Sequence, residues 1–437
     1  MAHRTLSISQ RLFSLVFSNI IASKKMEEEL LAHRAPRYTR KGTPRFMRIR
    51  WCILLTGLSL FAQLYVYQPL IDELHVSFGI LPSTASLSVS SGTIGMAIGL
   101  FIYVFYADVL PRRRLMVYSM AVSAVLTTIS IFATSFWFLV TLCLLKGVAL
   151  SGISAVALAY LAEEIDPSCI GEAISVYLAG NTLGGMSGRV VSGLIAGWFN
   201  WRVSTAVIAG VAIGLAIIFW ALFPNSHNFT PKNIPISVRL RRMKLFLSTP
   251  YFVSLYLTGC IAMGVFVSVY NYLSFVLTND YHLPHYIVAS IFLMYTVGIL
   301  GSVWFGKASD RRSSSWLLRL SLGGDALGMV LMAVPSLAVV IVGLFLMTLA
   351  FFGVHMMASR MVSTKAKEGK SSATCLYWLF YYFGSSSMGY LMGLVYFAYG
   401  WMAFIGVNVL LLGIAAAVSG HFIQPRYVPG ESFRVPS

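Results

Sequence analysis

Four ionisable side chains stand deep inside long apolar stretches of this chain. Two are cations, one is an acid and one is a histidine: Lys146, Arg189, Asp325 and His355. A charge inside a membrane-spanning segment is costly, so such residues usually mark a substrate or proton pathway. We therefore predict that Lys146 and Arg189 bind substrate. Proton coupling needs a group that titrates near neutral pH, so the first candidate is His355, followed by Glu164 and Asp325. The alternatives are a packing role for His355 and a structural role for Asp325.

The two cations also bear on the charge of the substrate. Neither has an acid at mid-depth in its own half of the chain; Asp72 and Glu73 stand at the outer end of the first apolar stretch. Two uncompensated cations favour an anionic or hydroxyl-rich substrate over a lipophilic cation. A pairing with Asp72 or a shifted pKa of Lys146 is the alternative, because either would neutralise the site.

Aromatic and amide side chains in the same stretches complete the predicted substrate site. They are Tyr65, Gln68, Asn181, Tyr270, Asn271, Tyr377, Trp378 and Tyr381. Tyr377 and Tyr381 are four residues apart and so share one face of a helix. Such groups suit hydroxylated or amphipathic ligands, while rings that anchor helices at the membrane interface are the alternative.

The elements that position these residues are membrane helices. Hydrophobic residues make up 57% of the 437 residues and charged residues 11%, whereas soluble domains carry about 25% charged residues. Twelve apolar runs are long enough to cross a bilayer. We name them span 1 to span 12, in chain order 51–71, 84–107, 114–134, 136–162, 171–197, 202–223, 250–277, 285–306, 315–334, 336–361, 371–398 and 401–422.

The distribution of basic residues predicts the orientation of these spans. The net charge of +17 is concentrated in the N-terminal tail and in alternate loops, and the other loops hold only Arg202. This asymmetry places both termini in the cytoplasm. It also argues against a nucleic-acid partner, because the basic residues follow the loops that face one side of the membrane. The expected partners are the lipid bilayer and a small-molecule substrate, and we expect a monomer.

A repeat divides the chain into two halves. Residues 172–201 align with residues 372–401, with matches that include Tyr177 on Tyr377 and Gly184 on Gly384. Homologous halves in a membrane protein indicate a transporter with its site between them. The predicted domains are a basic cytoplasmic tail (1–48), an N-terminal six-helix bundle (49–223), a cytoplasmic linker (224–248), a C-terminal six-helix bundle (249–423) and a second cytoplasmic tail (424–437).

Two loops carry a recurring acid and base pattern. The loop after span 2 holds Asp108, Arg112 and Arg113, and the loop after span 8 holds Gly306, Asp310 and Arg311. The pattern resembles the signature G-x-x-x-D-x-x-G-R-[RK] of the major facilitator superfamily, although Val104 and Pro111 replace its glycines in the first copy. The resemblance implies an all-α fold of twelve transmembrane helices in two pseudo-symmetric bundles. It also implies a charge-assisted latch that gates the cytoplasmic side; ordinary positive charge in cytoplasmic loops is the alternative.

Span 5 carries a second signature. Gly180, Gly184 and Gly188 lie on one helix face and allow another helix to approach closely. The run resembles the antiporter signature G-x-x-x-G-P-x-x-G-G, with Gly185 in place of proline and Arg189 in place of the last glycine. This run and four other segments together resemble the YnfM-type, arabinose-efflux-like branch of the drug:proton antiporter group. The other segments are Lys41–Arg48, Tyr65 with Gln68 and Pro69, Tyr160–Ile165 and Tyr381–Ser386. That resemblance implies an exporter of the cell inner membrane.

Together these patterns predict a secondary transporter that works by alternating access. We expect proton-coupled export of a small polar or anionic molecule, sugar-like or an organic acid. Efflux of amphipathic drugs and proton-coupled uptake are the alternatives. The sequence shows no nucleophile–base pair, metal cluster or phosphate-binding loop, so we expect no enzyme activity and no cofactor besides the proton gradient.

Overall fold

A computed structural model describes residues 38–106, 109–231, 235–309, 311–366 and 369–423. The two predicted latch acids, Asp108 and Asp310, lie outside the described residues, as do most of the N-terminal tail and the C-terminal tail. The described chain is almost entirely helical, which confirms the predicted fold class.

The helices follow the predicted spans closely. In chain order they are Pro44–Leu64, Ile71–Phe78, Pro82–Ala85, Leu87–Tyr106, Arg112–Ser130, Phe136–Glu164, Ile170–Trp198, Trp201–Leu222, Ile236–Leu247, Pro250–Asn279, His285–Ser290, Tyr295–Ala308, Ser314–Leu331, Leu337–Lys365 and Lys370–Phe422. Short 3-10 turns at Gln68–Leu70 and Ile291–Met294 connect the two helices of span 1 and the two helices of span 8. Ile236–Leu247 lies in the predicted linker, and we call it the linker helix.

Eight of these helical stretches are long and apolar enough to cross a membrane by length and composition alone. One of them, Ser372–Phe422, contains both span 11 and span 12. The remaining spans 3, 5 and 9 fall short because polar residues dilute their apolar content, such as the arginines at the start of span 3 and Arg319 and Asp325 in span 9. The eight stretches therefore correspond to nine spans, and all twelve are present as helices.

Span 1 begins earlier than predicted. Its helix starts at Pro44 rather than at residue 51. The Thr43 hydroxyl accepts a hydrogen bond from the Phe46 N–H, and Pro44 occupies the first helical position, where its missing N–H costs nothing. At the other end the helix stops at Leu64 and resumes through the Gln68–Leu70 turn, which turns the chain at Gln68.

Spans 11 and 12 are separated at one residue. Gly400 has a φ of 81° and a ψ of −179° inside an otherwise helical run. That positive φ suits glycine, which has no Cβ, and it turns the chain between the two spans.

Close helix packing fixes span 5 against span 1. A Cβ atom on Gly180 or Gly184 would come within 2.4 Å of the Leu54 carbonyl oxygen or 2.3 Å of the Leu58 carbonyl oxygen, respectively. These distances are far below van der Waals contact, so only glycine allows the two backbones to lie this close. Span 5 thereby holds a fixed rotation, and this rotation directs the Arg189 side chain toward span 1.

The two halves meet along two pairs of spans. Span 2 packs against span 11, and span 5 packs against span 8. The Ser386 hydroxyl donates to the Ser90 carbonyl across the first pair at 2.8 Å. Spans 1 and 7 also meet between the halves, through a hydrogen bond from Gln68 to Asn271.

Candidate functional site

Two sides of the molecule serve as reference. The linker side is the membrane face that holds Thr39–Thr43 and the linker helix, and the far side is the opposite face, which holds residues 79–81. Arg189 lies between the halves, with 1% of its surface exposed. Its Nε donates to the Gln68 side-chain oxygen at 2.5 Å and its Nη1 donates to the Gly185 carbonyl at 2.5 Å.

Two aromatic rings sandwich the Arg189 guanidinium. Its central carbon is 3.9 Å from the centre of the Tyr65 ring and 4.3 Å from that of Tyr295. A guanidinium over ring faces gains electrostatic attraction, and more so away from water. No carboxylate pairs with Arg189 among the described residues. The cation is therefore stabilised by neutral groups and keeps its positive charge uncompensated.

A hydrogen bond next to Arg189 joins the two halves. The Gln68 side-chain nitrogen donates to the Asn271 side-chain oxygen at 2.7 Å, and both residues are fully buried. Gln68 belongs to span 1 and Asn271 to span 7. We call this contact the amide clasp. Arg189, Gln68 and Asn271 thus form one continuous polar chain from the N-terminal half to the C-terminal half.

From Arg189 a series of rings leads into the C-terminal half. Tyr295 lies 5.3 Å from Phe266, Phe266 stacks on Phe351 at 3.9 Å, and Phe351 lies 6.4 Å from His355, all between ring centres. We call Tyr295, Phe266, Phe351 and His355 the ring chain. It connects the predicted substrate cation with the predicted proton-coupling histidine through apolar contacts.

His355 is itself surrounded by aromatic side chains of span 11. Its ring centre lies 5.7 Å from Tyr377, 5.2 Å from Trp378 and 4.8 Å from Tyr381. The His355 Nδ1 is 2.9 Å from the Tyr377 hydroxyl. We call these four residues the His355 box. Tyr377 is buried, whereas the other three members are only half-buried, so part of their surface remains accessible.

Tyr270 and Asn181, also predicted to bind substrate, occupy different surroundings. Tyr270 is buried, its hydroxyl lies 2.9 Å from the Thr348 hydroxyl, and its ring lies 4.8 Å from Tyr295. It therefore supports the ring chain from behind. Asn181 is half-buried against Gly57 of span 1, two helical turns from Arg189 toward the linker side.

The structure does not bring Lys146 and Arg189 together. Lys146 is buried over the ring of Tyr67 at 4.8 Å, and its amine has no hydrogen-bond partner among the described residues. The Tyr67 hydroxyl lies 2.7 Å from the Ser130 hydroxyl of span 3. The sequence positions of the two cations predict a similar depth in the membrane, but they do not predict how span 4 is rotated about its axis. This rotation directs Lys146 to Tyr67 and away from the ring chain.

Glu164 lies far from His355, at the linker-side end of span 4. It is fully buried and pairs with Arg45 at 2.8 Å. It also accepts hydrogen bonds from the backbone N–H groups of His227 and Asn228, at 2.6 and 2.8 Å. The carboxylate thus ties the start of span 1 and the linker to span 4.

Asp325 is buried in span 9, and neither of its carboxyl oxygens has a hydrogen-bond partner among the described residues. Span 9 packs against spans 10 and 12. None of the ring contacts that build the site includes Asp325.

The described members of the predicted gates lie on the linker side. Arg112 pairs with Glu163 at 2.8 Å and covers the ring of Phe229. Arg113 donates to the backbone carbonyls of Phe223 and Trp220, at 2.7 and 2.6 Å. In the second copy, Gly306 is half-buried and Arg311 is exposed.

Sequence reasoning missed three rings that complete the site. They are Phe266, Tyr295 and Phe351. A signal was present for two of them, because Phe266 precedes Tyr270 by four residues and Phe351 precedes His355 by four, so each pair shares a helix face. Tyr295 carried no such signal, since its role depends on the contact between spans 5 and 8.

A cavity of about 290 Å³ lies on the far side of the amide clasp. Its lining includes Pro69, Asp72, Glu73, Asn279 and Phe292. Phe292 also lies 5.9 Å from the Arg189 guanidinium, and Pro69 follows Gln68 directly. The clasp and Arg189 therefore lie just beneath the floor of this far-side cavity.

The chain is similar in sequence to a family of known transporters. Residues 53–406 match the profile of the Major Facilitator Superfamily. An uncharacterised MFS-type transporter of Bacillus subtilis, YybF, is 34% identical over 402 residues, which cover 90% of this chain and 98% of YybF. The inner membrane transport protein YnfM of Escherichia coli is 32% identical over 390 residues, which cover 89% of this chain and 93% of YnfM.

Solved structures share the fold at low sequence identity. A D-xylose–proton symporter superposes with a TM-score of 0.74 at 16% identity, over 89% of this chain and 100% of the symporter. A bacterial homologue of the human lysosomal transporter Spinster, in an inward-facing and occupied conformation, gives 0.72 at 14% identity, over 87% of this chain and 97% of that protein.

Proposed function

Because the chain belongs to the Major Facilitator Superfamily and is a multi-pass membrane transporter rather than an enzyme, we propose that it exports a small polar or anionic molecule in exchange for protons. The proposed location is the inner membrane, with both termini in the cytoplasm, so that the linker side faces the cytoplasm and the far side faces outward. The proposed energy source is the proton gradient alone, and the proposed working unit is a monomer.

The observation that carries this proposal is the placement of Arg189. It is a buried cation without an acid partner, and it stands between the two halves at the start of the ring chain. An unpaired buried charge raises the free energy of the protein. An anionic or hydroxyl-rich substrate would lower that energy by supplying acceptor atoms. The site therefore favours such a substrate over a lipophilic cation.

Alternating access needs a barrier that opens on one side while the other closes. The amide clasp is the proposed barrier on the far side, because Gln68 and Asn271 belong to different halves and both are buried. Opening the far side requires this hydrogen bond to break. Substrate bound to Arg189 would compete for the same polar chain, which links occupancy of the site to the state of the barrier.

His355 is the proposed proton carrier. It lies at the end of the ring chain that starts beside Arg189, whereas Glu164 already pairs with Arg45 and Asp325 lies outside the ring contacts of the site. A proton that reaches His355 would place a second positive charge at the end of the ring chain. Substrate affinity would then depend on protonation, which is what coupling requires. The antiporter subgroup implied by span 5 agrees with this direction of exchange.

Reconstituted protein tests the proposal. Proteoliposomes with an imposed pH gradient should move a labelled organic acid or sugar against its own gradient. In His355→Ala, substrate exchange should persist while proton-driven accumulation is lost. Glu164→Gln and Asp325→Asn serve as matched controls that remove the other candidate carboxyls. Unchanged accumulation in His355→Ala would remove this residue from the coupling mechanism.

Efflux of amphipathic drugs is the second candidate, and the His355 box favours it. Three of its members expose part of their ring surface, which suits flat apolar compounds. Transport of cationic dyes that is insensitive to Arg189→Gln would favour this alternative. Uptake by symport is distinguished by the direction of proton flow, because protons and substrate would then enter the vesicle together.

A further inference from the structure

We propose that the substrate is an aromatic carboxylate, with its acid group on Arg189 and its ring in the His355 box. This inference rests on the proposed function and names the substrate class of that same site. It joins two features that lie in different halves, a cation with spare donors and an accessible set of aromatic rings. The ring chain connects them.

Arg189 retains donors that the protein does not use. A guanidinium carries five N–H groups, and the Nε and Nη1 atoms each make one hydrogen bond, to Gln68 and Gly185. Nη2 makes none to the described residues. The hydroxyl of Tyr295, whose ring covers the guanidinium, is buried and also has no hydrogen-bond partner there. A carboxylate can accept from Arg189 and from this hydroxyl at once.

The side chains that lie between Arg189 and the His355 box are aromatic. Tyr295, Phe266 and Phe351 follow one another at ring-centre distances of 5.3 and 3.9 Å. All three rings are buried in this state, at 6%, 2% and 2% exposure, so a ligand contacts them only when the halves separate, and it then meets mainly apolar ring atoms. The middle of the ligand is therefore apolar, which excludes a polyol.

The His355 box supplies the site for a ring. Trp378 and Tyr381 lie 5.2 Å apart at an angle of 77°, and both are half-buried. Aromatic pairs prefer such edge-to-face or offset arrangements at 4.5–7 Å. An inserted aromatic ring can adopt the same geometry against both side chains. A saturated ring of equal size fills the space but forgoes the interaction between ring quadrupoles.

No described acid contacts the rings of the His355 box: most acids lie at the ends of the spans, and Asp325 lies in span 9, outside these ring contacts. Glu163, Glu164 and Glu172 form ion pairs at the linker side, and Asp72 and Glu73 line the far-side cavity. An aromatic cation in the box would therefore lack a counter-charge and would meet the Arg189 charge through the ring chain.

A matched ligand series tests the substrate class. The probes are ω-phenyl carboxylates with two to five chain carbons, their amides, the corresponding cyclohexyl carboxylates and phenethylammonium. Binding to the purified full chain is measured from ligand-induced thermal shifts, and transport from counterflow in proteoliposomes. The best phenyl acid should bind about tenfold or more tightly than its amide. It should bind about threefold more tightly than the cyclohexyl acid.

Variants assign each preference to its side chain. Arg189→Gln should abolish the discrimination between acid and amide, and Trp378→Leu should abolish that between phenyl and cyclohexyl. Arg202→Gln is the matched control, since Arg202 also covers a ring, that of Trp201, and donates to a backbone carbonyl, but outside the site. If Arg189→Gln does not fold, Tyr295→Phe removes only the spare hydroxyl and should weaken acid binding about threefold.

The outcomes separate this inference from the proposed function. Counterflow of sugars, aliphatic acids or dyes without a preference for phenyl acids overturns the substrate class and leaves transport standing. Discrimination between acid and amide that survives in both Arg189→Gln and Tyr295→Phe also overturns it. If no probe shows binding or counterflow, sugars and dyes included, both the substrate class and the proposed function are overturned.

Discussion

Arg189 and Lys146 are both buried cations of the N-terminal half, yet their surroundings differ. Arg189 donates to two oxygen acceptors and lies between the rings of Tyr65 and Tyr295. Lys146 lies over the single ring of Tyr67, and its amine has no hydrogen-bond partner among the described residues. Both are almost fully shielded, at 1% and 2% exposure.

The difference shows that burial alone does not define a substrate site. The guanidinium of Arg189 has its donors in a fixed plane, so two acceptors and two rings determine its orientation. That orientation also connects Arg189 to the amide clasp and hence to the C-terminal half. Lys146 contacts neither the clasp nor the ring chain. We therefore assign the substrate charge to Arg189 alone.

The largest expected effect comes from replacing each cation by methionine. Arg189→Met leaves the Gln68 and Gly185 acceptors buried without a donor and should lower the free energy of unfolding by about 3 kcal/mol. Lys146→Met removes a buried amine that has no acceptor and should raise that free energy by about 1 kcal/mol. Thermal unfolding in one detergent measures both, and shifts of the same sign would contradict the distinction between the two sites.

The amide clasp should give the next largest effect. Gln68→Ala removes the contact between the halves and leaves the buried Asn271 acceptor without this donor, so it should increase the population open to the far side about thirtyfold. In a cysteine-free background, Ser385→Cys reports this opening through labelling by a membrane-impermeant maleimide added from the far side, because Ser385 is fully buried in span 11. Asn408→Ala is the control, since this buried amide donates within its own helix, to Phe404. Equal labelling in both variants would exclude the clasp as a barrier.

Glu164 is a buried charge with an ion-pair partner, and so it contrasts with the buried Lys146, whose amine has no hydrogen-bond partner among the described residues. Glu164→Gln weakens an ion pair whose carboxylate is fully buried and whose Arg45 side chain is 25% exposed, and it should lower the free energy of unfolding by about 2 kcal/mol. Glu172→Gln, at a more exposed pair with Lys41 and Arg50, should lower it by less, because water screens the charges there. Denaturation at matched salt concentration measures the two. A larger loss in Glu172→Gln would show that burial of the Glu164 pair contributes nothing.

The smallest expected effect concerns the ring beneath Lys146. Tyr67→Phe removes the hydrogen bond to Ser130 and keeps the aromatic face. The free energy of unfolding should fall by about 1 kcal/mol. The double variant with Lys146→Met should show additive effects, because the hydroxyl and the amine do not interact. A large coupling energy would instead show that the hydroxyl partners the amine.

Several features of this protein follow from the sequence alone. The content and spacing of apolar residues determine the twelve helices, because a bilayer demands long apolar segments whose backbone groups are satisfied internally. Glycines at 180, 184 and 188 predicted close packing along span 5, and the break between spans 11 and 12 falls at Gly400. The aromatic and amide character of the site was also readable, through Gln68, Asn271 and the Tyr377–Tyr381 pair.

The tertiary structure alone decided which of these residues meet. Lys146 and Arg189 have similar depth, but the rotation of span 4 about its axis separates their side chains. Apolar residues lie on both the buried and the exposed faces of span 4, so their pattern does not reveal that rotation. Glu164 joins the tail and linker because of contacts between segments distant in sequence. Tyr295 reaches Arg189 only through the packing of spans 5 and 8. The sequence determines the helices because a bilayer accepts only long apolar segments, whereas the site depends on which faces of those helices pack together.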